Sequence, residues 1–442
     1  MQKVDNRMLK RKILNELDVW YNNPNKKALL LKGARQVGKT TTVREFAKRH
    51  YTHLVEINFE KYPVARQAFE GNLDAQTIVS QLSIMGYGPF VEHKTLVFFD
   101  EIQTCPNART AIKFLVEDGR FDYIESGSLL GLNYADVSSY PVGFEDSVTM
   151  YPLDYEEFLW AKGISEDVIA PLKEALQKRE GVSEFMHEQL SKYYREYLIV
   201  GGMPEVVNTY ISNTDFAKTL RVQRSIVDSY RDDISKYAGT EKARAKVFFD
   251  AIPAELSKEK KRFIIADIEQ RASARKYENA AQWLIDAGIA YFSYNTHALA
   301  LPFEQYEKRN LYKVFLVDTG LLCSMWREAI QWQVLQGEID INEGALTENY
   351  VAAELVKKGY TLHYYDRKSR QELDFLIAQS NKISIVEVKS GEDYKTHSSL
   401  DTALEKKDEL GLGEAMVICK YPMEKDGEVQ YVPLYALGWV IE

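Results

Sequence analysis

Short apolar runs alternate with amphipathic stretches in the N-terminal part of the chain. Leu29–Leu31 predict a short buried strand, and after it Val43, Phe46 and Ala47 recur at helical spacing, which predicts a helix with one apolar face. Residues 94–103 read KTLVFFDEIQ, an apolar run that ends in two acids. A strand that is apolar on both faces belongs inside a parallel sheet. The pattern therefore predicts a parallel sheet with helices on both faces.

The remaining patterns of this region extend the same alternation. The further predicted elements are a helix at 4–21, a strand at 53–60, helical segments at 61–93 and 107–118, and strands at 123–125 and from 148. The basic run at 10–12 is interpreted as the solvated face of the first helix. Asp154 followed by Glu157 has the spacing of a capping box and predicts the start of another helix. We expect this α/β core to span residues 1–163.

Helical patterns dominate residues 164–238, which are predicted to form a helical lid. They are interrupted by YLIVGGMPEVV at 197–207, where Gly201, Gly202 and Pro204 predict a tight bend. An arginine in such a lid is a candidate for contact with a γ-phosphate. The candidates are Arg221, Arg224 and Arg231, and the sequence does not choose among them.

Residues 239–330 contain two short helical patterns joined by a turn of small residues, followed by an apolar helix that ends at Gly288 and a strand. This order predicts a winged helix-turn-helix. The start of its second helix carries basic and amide side chains suited to DNA, namely Arg271, Arg275, Lys276 and Asn279. Winged helices also pack against proteins, so DNA contact through this element is left open. The strand and glycine turn in KVFLVDTGLL at 313–322 close the domain.

Residues 331–442 are predicted to form a last α/β domain with chemistry of its own. Residues 344–355 predict a helix that bears Glu348, and a hairpin at 362–378 carries Asp374 on its return strand. The next strand carries Glu387 and Lys389, which face the same way because side chains alternate along a strand.

Composition narrows the class of protein. The 442 residues are 45% hydrophobic and 27% charged, as expected of a soluble protein with several domains. No apolar run is long enough to cross a membrane, so we expect no membrane partner. Three dispersed cysteines without a CxxC motif argue against disulfides or zinc and favour the cytoplasm. A net charge of −9 argues against general coating of nucleic acid, although local basic patches stay compatible with it.

The segment between the first strand and helix fits the phosphate-binding pattern G-x-x-x-x-G-K-[ST]. Its glycines let backbone N–H groups point inward at the start of a helix, which suits a polyphosphate. Lys39 is expected to reach the β- and γ-phosphates, and the Thr40 hydroxyl to hold Mg²⁺. The predicted ATP-binding residues are Gly33, Ala34, Arg35, Gln36, Val37, Gly38, Lys39, Thr40 and Thr41.

Acidic residues downstream can complete such a site. Asp100 and Glu101 end a buried strand, where ligands bind in open α/β folds. Asp100 is expected to coordinate Mg²⁺ through water, and Glu101 to orient or deprotonate the attacking water. Ser126 ends the following strand and is a candidate for contact with the γ-phosphate or the water. A plain serine turn explains it equally well.

The C-terminal carboxylates suggest a second reaction. Asp374, Glu387 and Glu348 with Lys389 suit Mg²⁺-dependent hydrolysis of phosphodiesters. Asp374 and Glu387 would hold the metal, Lys389 would position or activate water, and Glu348 would complete the metal ligands from the helix. Such a domain can also keep these residues and only hold DNA.

These blocks together resemble a prokaryotic family of AAA-type ATPases, often called archaeal-type ATPases. The resemblance covers nearly the whole chain and rests on GARQVGKT, FFDE, ESGS, YPLDYEEF, YLIVGGMPE, KVFLVDTGLL, Glu348, the ELDF hairpin and VEVKSG. It implies a P-loop core, a winged helix and a C-terminal domain like the PD-(D/E)XK restriction endonucleases, with Mg-ATP binding and roles in DNA transactions. The chain departs from many relatives at 141–147, where PVGFEDS replaces a Gly-Arg pair, so no arginine finger is assigned there.

Two functions follow from this reading. The first is a Mg²⁺-dependent ATPase that couples its nucleotide state to binding or cleavage of DNA by the C-terminal domain, with nuclease activity left open. The alternative is a nucleotide-controlled binding or signalling switch whose nuclease-like domain is not catalytic. Assembly into a homo-oligomer is compatible with both.

Overall fold

The computed structural model describes residues 8–127, 141–270, 274–326, 334, 341–367 and 371–441. The chain divides into two compact units, which are described separately. The N-terminal unit comprises Lys10–Tyr151 with Asp286–Gly288, and the C-terminal unit comprises Pro152–Ile285 and Ile289–Glu442 together with Met1–Leu9.

The N-terminal unit contains a parallel sheet with flanking helices. Its strands are β1 (Ala28–Lys32), β2 (His53–Asn58), β3 (Thr95–Asp100), β4 (Asp122–Gly127) and β5 (Glu145–Thr149), and its helices are α1 (Ile13–Tyr21), α2 (Lys39–His50), α3 (Ala75–Ile84) and α4 (Pro106–Asp118). In the described residues the strand order is β2-β3-β4-β1-β5, and every pair is parallel. The predicted parallel-sheet core is confirmed.

Burial explains why β3 lies inside this sheet. Every residue of Thr95–Asp100 is buried, and the strand pairs with β2 on one side and β4 on the other. Because all strands run in the same direction, the polar residues at their carboxyl ends meet at one edge. Asn58 of β2 lies opposite Asp100 of β3 at this edge.

Three local predictions for this unit need correction. Helix α1 begins at Ile13, so residues 8–12 precede it. Arg11 is buried rather than solvated, because its guanidinium donates to backbone carbonyls. The segment 61–93 is not one helix, because a short 3₁₀ helix at Pro63–Phe69 ends before Asp74, whose side chain caps the start of α3 through the Thr77 N–H.

The C-terminal unit combines a helical region with a mixed sheet. Its helices are α5 (Tyr155–Ala161), α6 (Glu166–Gln177), α7 (Glu184–Val200), α8 (Pro204–Asn213), α9 (Phe216–Tyr237), α10 (Lys242–Leu256), α11 (Ile265–Ile268), α12 (Ala274–Asp286), α13 (Thr319–Met325), α14 (Ile341–Lys357), α15 (Ser398–Leu404), α16 (Lys407–Leu410) and α17 (Leu437–Val440). Its strands are β6 (Ala290–Thr296), β7 (Glu307–Leu316), β8 (His363–Asp366), β9 (Glu372–Gln379), β10 (Lys382–Lys389), β11 (Leu412–Cys419), β12 (Glu424–Asp426) and β13 (Val429–Pro433). Asp154 and Glu157 form the predicted capping box at the start of α5.

One sheet runs through the predicted boundary at residues 330 and 331. Across the described residues its order is β12-β13-β11-β10-β9-β8-β6-β7. Strands β6 and β7 pair antiparallel, as a wing would, and β6 also pairs in parallel with β8 of the C-terminal hairpin. The strands of the predicted winged-helix domain are therefore continuous with the strands of the predicted nuclease-like domain.

The predicted DNA-reading residues lie at the start of α12. Arg275 and Asn279 are exposed, and Lys276 forms an ion pair with Glu269. Arg271 lies outside the described residues. Contact of this helix with DNA stays a prediction.

The glycine pair between α7 and α8 forms a tight bend. Gly201 has a φ of 73°, and the Gly202 N–H donates to Asp318 Oδ2 at 2.6 Å. The Gly202 carbonyl accepts from the Leu153 N–H at 2.7 Å, and a Cβ at Gly202 would lie 2.0 Å from the Leu153 oxygen. The bend therefore joins two distant segments through backbone contacts that only glycine permits.

None of the helices in the described ranges is both long enough and apolar enough to span a membrane.

Candidate functional site

The predicted phosphate-binding loop connects β1 to α2. Gly33 and Gly38 have φ values of 146° and 98°, and Gln36 also has a positive φ of 67°. A Cβ at Gly33 would lie 2.2 Å from the Met150 carbonyl oxygen, so a larger residue cannot occupy this position without displacing the backbone. The loop is therefore a curled segment in front of a helix N-terminus, the local structure that binds anions in P-loop proteins.

Lys39 lies inside this loop with its ammonium turned towards the loop backbone. Its Nζ donates to the Gly33 and Ala34 carbonyls at 2.8 and 2.9 Å. Burial lowers the pKa of Lys39 to about 8, although the charges of Glu101 and Asp100 act in the opposite direction. A buried ammonium that donates its hydrogen bonds to neutral carbonyls suits an incoming polyphosphate, because a further negative charge would stabilise its charged form.

Asp100 is the centre of a hydrogen-bond network at the carboxyl edge of the sheet. Its Oδ2 accepts from Thr40 Oγ1 at 3.1 Å and from Asn58 Nδ2 at 2.9 Å, and its Oδ1 accepts from Ser126 Oγ at 2.5 Å. The structure thus brings together Thr40 and Asp100, which the sequence predicted for one site, with Ser126, which the sequence left open, and it adds Asn58. The sequence showed only that Asn58 is a polar residue near the end of a predicted strand, and its place opposite Asp100 depends on strand register.

Glu101 follows Asp100 in a left-handed backbone conformation with a φ of 54°. Its Oε2 accepts a hydrogen bond from Gln103 Nε2 at 2.6 Å, and its charge is the largest opposing influence on the pKa of Lys39. Glu101 is therefore held near Lys39 by a side chain two residues away. Among the other predicted loop residues, Arg35 forms an ion pair with Glu60 at 3.6 Å.

Arg11 supports the loop from behind and was missed by the sequence analysis. Its guanidinium donates to the Val37 carbonyl at 2.9 Å and to the Tyr151 carbonyl at 2.6 Å. It is 6% exposed, although it lies in a basic run that resembles a solvated helix face. No local signal distinguishes Arg11 from its neighbours, because its acceptors are 26 and 140 residues away in sequence.

A second buried arginine lies under the end of β4. Arg109 donates to Glu125 Oε2 at 2.7 Å and to Glu145 Oε1 at 2.9 Å. Burial raises the pKa of Glu125 to about 7, and Arg109 opposes that rise. Glu125 directly precedes Ser126, so this ion pair fixes the strand that presents Ser126 to Asp100.

The three candidate arginines of the predicted lid lie on α9 of the C-terminal unit. Arg231 donates to Asp228 and Asp250, in both cases at 2.8 Å, and Arg221 is exposed. Arg224 is partly buried on the same helix. The contact of any of them with a γ-phosphate stays a prediction.

The C-terminal unit brings the predicted acidic residues together. Asp374 on β9 accepts from the Val388 N–H of β10 at 3.0 Å and shares a hydrogen bond with Glu387. Glu348 on α14 reaches the same cluster, and the charge of Lys389 acts on Glu387. Side chains that the sequence placed on a helix and on two strands therefore lie in one cluster.

Two lysines that the sequence analysis did not single out also enter this cluster. Lys313 of β7 lies 3.0 Å from Glu372 Oε1, 3.5 Å from Asp374 Oδ1 and 3.8 Å from Glu348 Oε2. Lys261 forms an ion pair with the other oxygen of Glu348. The available signal was Lys313 itself, a charged residue directly before the buried apolar end of β7 at residues 314–316.

Burial and pairing shift the pKa values of this cluster in opposite directions. Burial, reinforced by the charge of Asp374, raises the pKa of Glu387 well above its usual value. Burial alone would raise the pKa of Asp374 too, but the charges of Lys313 and Lys261 outweigh it and lower that pKa. The lysines thus favour the charged form of Asp374, whereas burial and the Asp374 charge disfavour the charged form of Glu387.

Whether a divalent cation fits this cluster depends on two observations. Glu348 Oε2 and Glu387 Oε1 are buried without a hydrogen-bond donor, which leaves hard oxygen atoms of the kind that Mg²⁺ prefers. However, the Lys313 ammonium lies among the same carboxylates, and the described residues contain no group of three or more acidic, His or Cys side chains arranged to hold a metal. The cluster as folded fits an ammonium and not a divalent ion. The metal roles predicted for Glu348, Asp374 and Glu387 thus gain no support from the geometry.

Comparisons with known families cover most of the chain. Residues 25–159 match the family described as AAA domain, so this part of the chain is similar to AAA-type P-loop domains. Residues 191–331 and 343–437 match two families described as domains of unknown function, DUF8612 and DUF4143.

Similar whole proteins are distant. An uncharacterized protein of Haemophilus influenzae is 22% identical over 426 residues, which cover 93% of this chain and 94% of that protein. The Aeropyrum pernix ORC1 protein, solved in complex with DNA, is 15% identical over 76% of this chain and 94% of its own, with a TM-score of 0.30. The Thermotoga maritima RuvB Holliday junction branch migration motor is 13% identical over 64% of this chain and 89% of its own, also with a TM-score of 0.30. Structural similarity at this level assigns no function.

Proposed function

We propose that this protein is a Mg²⁺-dependent ATPase whose nucleotide state controls a C-terminal nuclease-like domain that acts on DNA. The observation that carries the ATPase part is the Asp100 network, in which one carboxylate accepts hydrogen bonds from Thr40 of the phosphate-binding loop and from Ser126 of the neighbouring strand. The match of residues 25–159 to the AAA domain supports the same conclusion.

The loop residues account for nucleotide binding. The backbone N–H groups of residues 33–41 would surround the phosphates, with the positive end of α2 behind them. The Lys39 ammonium would exchange its contacts with the Gly33 and Ala34 carbonyls for the β- and γ-phosphates. The carbonyls are neutral and the phosphates are negative, so the ammonium gains an attraction between opposite charges when it leaves the carbonyls for the phosphates.

Thr40 and Asp100 have the right chemistry for Mg²⁺, since both offer hard oxygen atoms and their side chains already lie 3.1 Å apart. The bound ion supplies neutralisation of the phosphate charge. Glu101 would accept the proton of the attacking water or orient it, and its hydrogen bond with Gln103 fixes its direction. Asn58 and Ser126 would keep Asp100 in place.

The C-terminal part of the proposal concerns DNA. We assign residues 1–163 to the ATPase core, 164–238 to a helical lid, 239–330 to a winged helix and 331–442 to a restriction-endonuclease-like domain. Support for the last assignment comes from the sequence resemblance, whose blocks fall on the helix that carries Glu348, on the β8–β9 hairpin and on β10. Arg275, Lys276 and Asn279 would contact DNA from the winged helix, and the cytoplasm is the compartment that suits these activities.

A second candidate is favoured by one specific observation. The buried Lys313 ammonium lies within 4 Å of three carboxylates, including Asp374, in the cluster where cleavage would need a divalent ion. In this alternative the protein is a nucleotide-controlled binding or signalling switch, and its C-terminal domain docks DNA or another partner without cutting it.

ATP turnover tests the shared part of both candidates. Lys39→Ala and Glu101→Gln should each lower turnover by about 100-fold or more, because each removes a group that acts in the transition state. Glu101→Gln should still bind ATP in calorimetry, whereas Lys39→Ala should bind weakly. Lys48→Ala, which removes an exposed lysine from the same helix, is the matched control. Undiminished turnover in either variant would remove the ATPase proposal.

DNA incubation separates the two candidates. Linear, supercoiled and single-stranded DNA are incubated with the protein and Mg²⁺ or Mn²⁺, beside Lys389→Ala. Cleavage that Lys389→Ala abolishes favours the nuclease, whereas binding without cleavage favours the switch. Sedimentation with and without ATP would show whether nucleotide promotes a homo-oligomer.

A further inference from the structure

The Lys313 side chain is fixed at the centre of the C-terminal acidic cluster. It is 2% exposed and extends from the middle of β7, where its partner in the register with β6 is the small residue Ser293. Its ammonium lies 5.2 Å from the centre of the Tyr364 ring, close enough for a cation–π interaction. A lysine on a paired strand and beneath an aromatic ring has little freedom to leave the cluster.

The ammonium contacts the acids that a divalent ion would need. It forms ion pairs with Glu372, Asp374 and Glu348 at 3.0 to 3.8 Å. Lys261 pairs with the second oxygen of Glu348, so that carboxylate lies between two ammonium groups. A divalent ion bound to Asp374 and Glu348 would lie close to the Lys313 charge, and the two cations would repel each other.

The same cluster retains two carboxylate oxygens that no donor satisfies. Glu348 Oε2 and Glu387 Oε1 are fully buried and accept no hydrogen bond from the described residues. The side chains to which they belong are 5% and 4% exposed. Together with Asp374 they offer hard oxygen atoms of the kind that a divalent ion binds, but the Lys313 ammonium lies among them.

We propose that Lys313 is a built-in cation that replaces the divalent metal of the C-terminal cluster and closes that cluster to metal ions. The lysine holds the helix α14, with Glu348, against strand β9, with Glu372 and Asp374, so the cluster is complete without a metal. The C-terminal unit then acts as a binding domain. This inference concerns the C-terminal unit alone and stands whether or not the protein hydrolyses ATP.

Removal of the Lys313 charge should open the cluster to metal. Nucleotide-free full-length protein is titrated with Mn²⁺ in a calorimeter, as wild type, Lys313→Met, Lys313→Arg and Lys313→Met with Glu348→Gln. Lys313→Met should gain a Mn²⁺ site at least about tenfold tighter than any Mn²⁺ binding of the wild type. Lys313→Arg keeps the charge and should gain none, and Glu348→Gln in the Lys313→Met background should abolish the new site. A folded Lys313→Met protein without a new site overturns the proposal.

A second comparison does not depend on the folding of Lys313→Met. Wild type and Glu348→Gln should give the same Mn²⁺ isotherm, because a closed cluster contributes no metal binding. Loss of Mn²⁺ binding in Glu348→Gln alone would show that a metal binds beside Lys313, and the proposal would be wrong. Both comparisons measure Mn²⁺ binding directly, so they test the proposal whether or not the protein hydrolyses ATP.

Discussion

The role of Arg11 in holding the phosphate-binding loop yields a prediction with a defined size. Arg11→Met removes the donors to the Val37 and Tyr151 carbonyls and keeps most of the apolar side chain. A hydrogen bond to a charged group contributes about 1.5–3 kcal/mol net. The bond to Val37 is buried, whereas the bond to Tyr151 is partly accessible to water, which can replace it in part. We therefore expect the free energy of unfolding to fall by about 2–4 kcal/mol.

Arg11→Met should also weaken the binding of ATP, because part of the lost stability comes from the phosphate-binding loop. Val37 lies in the loop between Gly33 and Lys39, so an unsupported Val37 carbonyl lets the loop leave the conformation that binds phosphate. We expect the dissociation constant for ATP to rise by at least about tenfold. That increase corresponds to a shift of about 1.4 kcal/mol in the equilibrium between the binding and non-binding conformations of the loop. Calorimetry with ATP and Mg²⁺ gives the affinity, and urea denaturation gives the stability.

The neighbouring Lys10→Met is the matched control for Arg11→Met. It removes one positive charge from the same basic run, but Lys10 is exposed and lies at the surface. If Arg11→Met and Lys10→Met agree in ATP affinity to within about twofold and in stability to within about 0.5 kcal/mol, Arg11 does not support the loop and the reasoning is refuted.

Three further predictions concern other parts of the chain. Gly202→Ala should destabilise the protein by about 3 kcal/mol or prevent folding, because the new Cβ would collide with the backbone of Leu153. Gly181→Ala is the control: its Cβ would lie no closer than 4.0 Å to any atom beyond its neighbours in the chain, so the thermal unfolding transition should hardly change. Ser126→Ala removes a donor to Asp100 and should raise the Mg²⁺ concentration for half-maximal ATP turnover by about tenfold; an unchanged Mg²⁺ dependence would contradict this role. Burial raises the pKa of Glu125 to about 7 in the folded state, so its contribution to stability is fully present below the unfolded pKa and is lost as the pH rises through about 7. The wild type should therefore lose on the order of 3 kcal/mol more than Glu125→Gln between pH 5 and 8 in urea denaturation, and equal losses would disprove the assignment.

Local patterns predicted much of the fold because helices and strands leave a signature in neighbouring residues. The apolar run before Asp100 and the glycine pattern before Lys39 each lie within a dozen residues, and both were read correctly. The segment 61–93 was read as helical, and its interruption before α3 was missed because that interruption depends on the Asp74 cap, a weaker signal. Residues 128–140 and the Arg271 position lie outside the described part of the chain.

Pairing between distant residues could not be predicted in the same way. A basic side chain in the sequence shows its charge but not its acceptor, so Arg11 was interpreted as solvated and Lys313 was read only as part of a strand. Asn58 was passed over because its register with Asp100 depends on which strands become neighbours. In each case the partner lies far away in sequence, at 26, 61 and 42 residues for the Arg11–Val37, Lys313–Asp374 and Asn58–Asp100 contacts.

The sequence by itself determined that a parallel sheet would carry a phosphate-binding loop and that carboxylates would gather near the C-terminus. Only the tertiary structure decided what surrounds those groups: a guanidinium behind the loop, an amide beside Asp100 and an ammonium among the C-terminal acids. The physical reason is that spacing along a chain encodes local conformation, whereas the electrostatic environment of a side chain depends on strand register and on the packing of segments that are remote in sequence.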